Sequence, residues 1–208
     1  MNYTEIVDAA YSYADRQDPE SRNNADLFLR AVENRLNNRL KVQKMSCRTQ
    51  LMTRLNAEYY GLPPDFAGLR DIEISNPGNS RGRCTLQYLN PEQMNNWSTA
   101  SNQGRTDRIY YTIIADQLQI MPPQDGMTME IVYYRNVPPL TPTDDENWVS
   151  IGQPNLYVFG MLVEISSFAK DKEAALLWEQ RFMSEVNALT EEDQLNRWSG
   201  TPLQIRTD

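Results

Sequence analysis

The side chains of this sequence best able to do chemistry are carboxylates, and they come in two runs. Asp144-Asp145-Glu146 lies in a Thr/Pro-rich stretch, and Glu191-Glu192-Asp193 follows a long periodic apolar segment. Two carboxyl groups can act as acid and base in glycoside hydrolysis, so a carboxylate-based cell-wall glycoside hydrolase is one functional reading. Adjacent acids in such a loop are more simply solvated charges or helix-start residues. Histidine is absent, with a count of 0. That removes Ser-His-Asp and Cys-His catalysis and most zinc sites. No GxxxxGKS/T or GxGxxG phosphate loop occurs, and no calcium-loop spacing. Tyr110-Tyr111 beside Arg108 and Tyr133-Tyr134 beside Arg135 could stack nucleic-acid bases. Alternating aromatics in a sheet more often pack in the core and across strands. These residues predict no catalytic group, no metal, no cofactor and no enzyme.

The elements that would position any site begin with Asn147 to Leu189. Asn147-Trp148 opens this stretch, Gly152-Gln153-Pro154 turns it, and Pro154 suits a first helical turn, where its missing N–H is no loss. Apolar residues from Leu156 to Phe168 occupy almost the whole circumference, as in a helix buried on several sides. Gly160, Ser166, Ser167 and Ala169 let neighbouring backbones come close. Lys170-Asp171-Lys172 is a polar break, with Asp171 the predicted N-cap of a second helix. There Ala175, Trp178, Phe182, Val186 and Leu189 form one stripe. This antiparallel hairpin is the expected core.

Upstream, Asn2 and Glu5 resemble a capping pair before Tyr3, Ile6, Val7, Ala10 and Ala14. Ser21 to Asn24 caps a second predicted helix with Phe28, Val32, Leu36 and Leu40 on one face, and Arg35 and Arg39 on a neighbouring one. Then the period becomes two. Met45, Cys47, Thr49 and Leu51 alternate, and Leu69–Ser75, Arg83–Leu89, Arg108–Ala115, Gln117–Met121 and Met127–Arg135 are further strands. A short helical turn is expected at Asn90-Pro91-Glu92 and a protruding loop over Asn95–Asp107. The predicted fold is α+β. N-terminal helices (residues 1–41) and the linker with the C-terminal hairpin (137–189) form one helical bundle. An antiparallel β-sandwich or barrel-like module (42–136) is inserted, and an extended tail (190–208) follows.

Hydrophobic residues are 40% and charged residues 23% of the chain, as in a globular protein. No apolar run reaches a membrane span, and Met1–Glu5 lacks the pattern of a signal peptide, so synthesis in cytoplasm is expected. Cys47 and Cys84 fit reduced residues in strands, a disulfide being the weaker reading. The net charge is −8. Such a chain does not grip nucleic acid broadly, since phosphate neutralisation needs a basic surface. The local exception is Arg30, Arg35, Arg39, Lys41, Lys44, Arg48 and Arg54, opposed only by Glu33. A solvated face or partner salt bridges explain it better than a DNA site.

Several segments together resemble the head-to-tail adaptor (connector) proteins of tailed bacteriophages, the short-tailed type in particular. They are Leu36-Asn37-Asn38-Arg39-Leu40 with Met45, Leu62-Pro63-Pro64-Asp65-Phe66, Ile131-Val132-Tyr133-Tyr134 before Val137-Pro138, and Asn147-Trp148 before Pro154-Asn155-Leu156-Tyr157. The clearest is Tyr157–Lys170 leading to Ala174-Ala175-Leu176-Leu177-Trp178-Glu179. Relatives have Pro where this chain has Ser167, and a longer alanine run in place of Ile165-Ser166. The resemblance implies a structural virion protein at the head–tail junction, made in the host cytoplasm. It would form a homo-oligomeric ring, commonly of twelve copies, between the portal ring and the tail nozzle or tail tube. Genomic DNA would pass through without sequence-specific binding, and no membrane is involved. Arg35 and Arg39 are expected to face acids of a neighbouring subunit or the portal. Leu195, Trp198, Leu203 and Ile205 are expected to form an assembly arm.

Overall fold

The computed structural model describes residues 1–16, 18–76, 82–99 and 108–198. They form a mixed α+β chain with seven helices and two sheets among the described residues. The chain divides into two compact units. One comprises the described residues of Met1–Met45 and Val137–Asp208, the other Ser46–Asn136.

In the first unit, α1 (Tyr3–Tyr13) starts with the expected reciprocal cap. Asn2 Oδ1 accepts from the Glu5 N–H, and the Asn2 N–H donates to Glu5 Oε2, both at 2.9 Å. Ile6, Val7, Ala10 and Tyr11 are its buried face. The second predicted helix is two helices. Asp18 caps the five-residue α2 (Pro19–Asn23), accepting from the Ser21 N–H at 3.1 Å, and α3 (Ala25–Arg39) follows at once. Asn24 makes no side-chain cap, and its amide donates to the Glu20 carbonyl at 2.8 Å. Asn147 caps the short α5 (Trp148–Gly152), accepting from the Val149 and Ser150 N–H groups.

Helix α6 (Pro154–Phe168) packs against α1, α3, α5 and α7. Leu156, Tyr157, Val158, Met161, Leu162, Val163 and Ile165 are all buried, which is why no single face of this segment is polar. Its small residue does what its size allows. A Cβ on Gly160 would sit 2.6 and 2.8 Å from the two γ-methyls of Val32 and 3.3 Å from a Phe182 ring carbon. Helices α3 and α7 therefore both close on α6 at this one position. Helix α7 (Lys172–Trp198) is started by Asp171, whose Oδ1 accepts from the Ala174 N–H at 3.1 Å. Phe182, Val186 and Leu189 are buried, as the stripe predicts. The helix does not stop at Leu189. It runs to Trp198, so residues 190–198 are helical and not an extended tail.

The second unit has strand orders β1-β8-β3-β4 and β2-β7-β6-β5. The strands are β1 (Ser46–Met52), β2 (Tyr59–Gly61), β3 (Phe66–Ser75), β4 (Arg83–Thr85), β5 (Gln87–Tyr88), β6 (Tyr110–Ile114), β7 (Gln117–Met121) and β8 (Thr128–Arg135). Ile72, Ile74, Leu86, Leu118, Ile120, Met129, Ile131 and Tyr133 make one core from residues of both sheets. The predicted strand Arg83–Leu89 is broken at buried Leu86. Strand β4 joins β3 in one sheet, and β5 joins β6 in the other. The β5–β6 pair is parallel, not antiparallel. The link between them is long enough for a same-direction return and contains α4 (Pro91–Thr99), which takes up part of the expected loop. Asn90 Oδ1 caps α4 through the Gln93 N–H at 2.7 Å. Cys47 and Cys84 are free thiols on the two edge strands β1 and β4. Three strand spacings, ~14 Å, separate those edges, well beyond disulfide reach.

Gly160→Ala tests the packing around α6. Helix propensity alone favours Ala by ~1 kcal/mol. The clash is with a stiff β-branched valine, and overpacking costs ~1–3 kcal/mol. Chemical denaturation should show net destabilisation, with Val32→Ala restoring part of the loss in the double variant. Strict additivity of the two substitutions would contradict the close approach.

Candidate partner interface

The best-built polar constellation of the helical unit surrounds the two backbone segments that connect it covalently to the β unit. The returning segment, Val137–Leu140, is held by α3. Asn37 Oδ1 accepts from the Val137 N–H at 2.7 Å, and Glu33 Oε1 from the Leu140 N–H at 2.6 Å. Asn147 Nδ2 donates to the Pro138 carbonyl at 2.8 Å and to the Tyr157 hydroxyl at 2.7 Å. The Tyr157 hydroxyl in turn donates to Glu33 Oε1 at 3.4 Å. Glu33 is 6% exposed, Val137 3% and Leu140 4%. Burial raises the Glu33 carboxyl above the usual carboxylate range, partly opposed by the Leu140 N–H and Tyr157 hydroxyl that favour the anion. Burial is also the main cause of the raised Tyr157 pKa.

The outgoing segment is held by the end of α7. Asp193 Oδ1 accepts from the Gln43 N–H at 2.6 Å. Arg197 Nη2 pairs with Asp193 Oδ2 at 2.7 Å and donates to the Lys41 carbonyl at 3.1 Å. These bonds carry α7 past its last buried apolar residue. A signal for them was present: Asp193 and Arg197 stand four apart and share a helix face. Glu33 also left a trace, since it falls on the apolar stripe between Leu29 and Leu36, where a polar group needs a partner.

Arg35, expected to meet acids of a partner, meets acids of its own chain. Its Nη2 is 2.9 Å from Glu164 on α6 and its Nη1 2.6 Å from Glu179 on α7, so one guanidinium ties three helices. Arg39 is exposed at the end of α3. Leu195 is 73% exposed on α7, opposite the face that carries Asp193 and Arg197. Trp198 ends that helix, but its side chain, and Leu203 and Ile205 altogether, lie outside the described residues. Of these six, the described side chains are those of Arg35 and Arg39 on α3 and Leu195 on α7.

The acidic runs are dispersed as well. Asp144, Asp145 and Glu146 are exposed, with the Asp145 carbonyl accepting from the Tyr3 N–H at 2.8 Å, while Asp193 serves the α7 end. Among the described residues no three metal-ligating side chains converge. The aromatic pairs considered for base stacking are engaged internally. Tyr133 is buried, stacked on Phe66 and hydrogen-bonded to Asp65 at 3.0 Å; Tyr110 meets Trp97, and Tyr111 meets Tyr88.

A family model described as SU10 adaptor protein matches residues 1–206, and the chain belongs to that family. No curated protein matches it. Membership carries a structural adaptor role in a bacteriophage, in contact with portal and tail components, as part of the virion. No helix among the described residues is long and apolar enough to cross a membrane.

Glu33 supplies the prediction of this site. Its folded pKa lies above the unfolded one, so folding favours the protonated form. Its contribution is full below the ordinary carboxylate range and is lost as pH rises through the folded value. Glu33→Gln keeps an acceptor without the charge. Its stability should match wild type in acid and exceed it increasingly toward neutral pH. Glu33→Ala orphans the buried Leu140 N–H and should cost ~1–3 kcal/mol in acid, the cost relative to wild type shrinking as pH rises. Urea unfolding across that range checks both, and a pH-independent difference between wild type and Glu33→Gln would contradict the assignment.

Proposed function

We propose that this member of the SU10 adaptor protein family is a structural virion protein at the head–tail junction. It closes into a ring, of twelve copies by resemblance, between portal and tail nozzle or tail tube, and continues the DNA channel. The observation that carries the reading is the family match over residues 1–206. In this reading the helices act as one bundle and the two sheets as a sandwich-like module. The ring assembles from chains made in the host cytoplasm. A net charge of −8 suits a channel protein, because a duplex slides past a surface that does not neutralise its phosphates.

Partner contacts fall to two regions. Arg39 is exposed, whereas Arg35 already spends its donors on Glu164 and Glu179. Leu195 projects outward from the last turns of α7, and with Trp198, Leu203 and Ile205 it supplies large apolar side chains to a partner surface. The arm begins after Trp198, because residues 190–198 belong to a helix anchored on its own chain.

Sedimentation of the chain with its purified portal tests this. Wild type should co-sediment. Removing residues 199–208 should abolish co-sedimentation while leaving thermal unfolding of the free chain unchanged. Arg39→Glu should weaken it several-fold: an exposed pair contributes only ~0–1 kcal/mol, but a ring repeats it in every subunit. Arg35→Glu should instead lower the stability of the free chain. No co-sedimentation of wild type, or clearing of peptidoglycan by the pure protein, would overturn the reading.

A further inference from the structure

Both connecting segments carry buried apolar residues, but the polar side chains that bond their backbones differ in exposure. On the returning side, the Leu140 N–H, Glu33, Tyr157 and Asn147 form a buried, mutually satisfied network. On the outgoing side, beside the buried Leu40, Val42 and Met45, the Gln43 N–H and the Lys41 carbonyl are bonded by Asp193 and Arg197 from the last two turns of α7. Asp193 is 11% exposed and Arg197 30% exposed, and no apolar residue of α7 beyond Leu189 is buried among the described side chains. Arg197 is also incompletely satisfied, since its Nε is buried without a hydrogen-bond partner. A buried orphan donor costs free energy, so the closed arrangement carries a penalty that opening would relieve. Nothing comparable burdens Glu33 or Asn147, which are absent from the unpartnered buried atoms of the described residues.

We infer that the last two turns of α7 are a releasable latch on Lys41–Gln43, the segment that leads through a 3₁₀ turn (Gln43–Met45) into β1. Closed, the latch fixes the backbone at the Gln43 N–H and the Lys41 carbonyl. Open, it frees those two groups to water while the buried network keeps the returning segment in place. The helix end and the Lys41–Gln43 backbone thus share one local equilibrium. Whatever moves α7 beyond Leu189 also changes the freedom of the chain where it leaves the helical unit. Local opening is expected of a helix end such as this one, which has no buried apolar anchor after Leu189 among the described side chains and bonds an exposed residue, Gln43.

Amide hydrogen exchange on the free full-length chain tests the latch directly. The Gln43 amide should exchange by local opening, well ahead of Val137 and Leu140, which should exchange only with the core of the helical unit. Asp193→Ala should speed Gln43 exchange at least fivefold and leave Val137 and Leu140 unchanged, which also shows that the variant folds. Asp193→Asn retains a side-chain acceptor and should restore most of the protection, while Leu195→Ala, on the opposite face, should alter nothing at Gln43. Gln43 protection equal to that of Leu140, or unaffected by Asp193→Ala, would overturn the inference.

Discussion

Helix α6 has almost no face to give to water, and the rest of the helical unit follows from that constraint. A segment with Leu156, Tyr157, Val158, Met161, Leu162, Val163 and Ile165 buried needs cover on several sides at once. The N-terminal helices and α7 supply it, although they lie at opposite ends of the chain. Two helices can reach the same point of α6 only where no side chain stands between, and Gly160 is that point. Burial of this order is the main source of stability in such a unit, at ~1.5–3 kcal/mol for each large apolar side chain fully buried. A long insertion between α3 and α5 is tolerated because α3 and α6 pack directly on each other, independent of the chain joining them.

Where the inserted β unit leaves and returns, buried Leu40, Val42, Val137 and Leu140 are joined by polar side chains acting on the backbone, since an unpaired buried N–H would be costly. Asn37 and Glu33 receive the returning segment, and Asp193 receives the outgoing one. Arg35 performs a related task among α3, α6 and α7. The chemistry of the chain is in this sense architectural: its buried acid supports a backbone segment.

Much of this was legible in the residues, and what was not has identifiable causes. The Asn2–Glu5 cap, the all-round apolar run of α6, the stripe of α7 and the alternation of β1, β3, β7 and β8 are local signals, and each produced its element. The three residues of β2 are too few for any period to show. Arg83–Leu89 alternates as one strand, yet Leu86 marks a change of sheet, which only tertiary pairing decides. Apolar periodicity predicts the end of α7 at Leu189, where the apolar stripe stops. The helix continues on Asp193 and Arg197, whose partners lie some 150 residues away in sequence. Arg35 and Glu33 carried charge that could be read, but not whom it met. A partner surface remains the least legible feature, since Arg39 and Leu195 are defined by being exposed in the single chain.

The central claim, that this chain is the ring joining portal to tail, is tested most directly by averaged electron-microscope images of purified portal mixed with the full-length protein. The account predicts a closed ring of additional density on one end of the portal, coaxial with its channel and leaving that channel open. Portal particles without added density, or density that is asymmetric or blocks the channel, would contradict it.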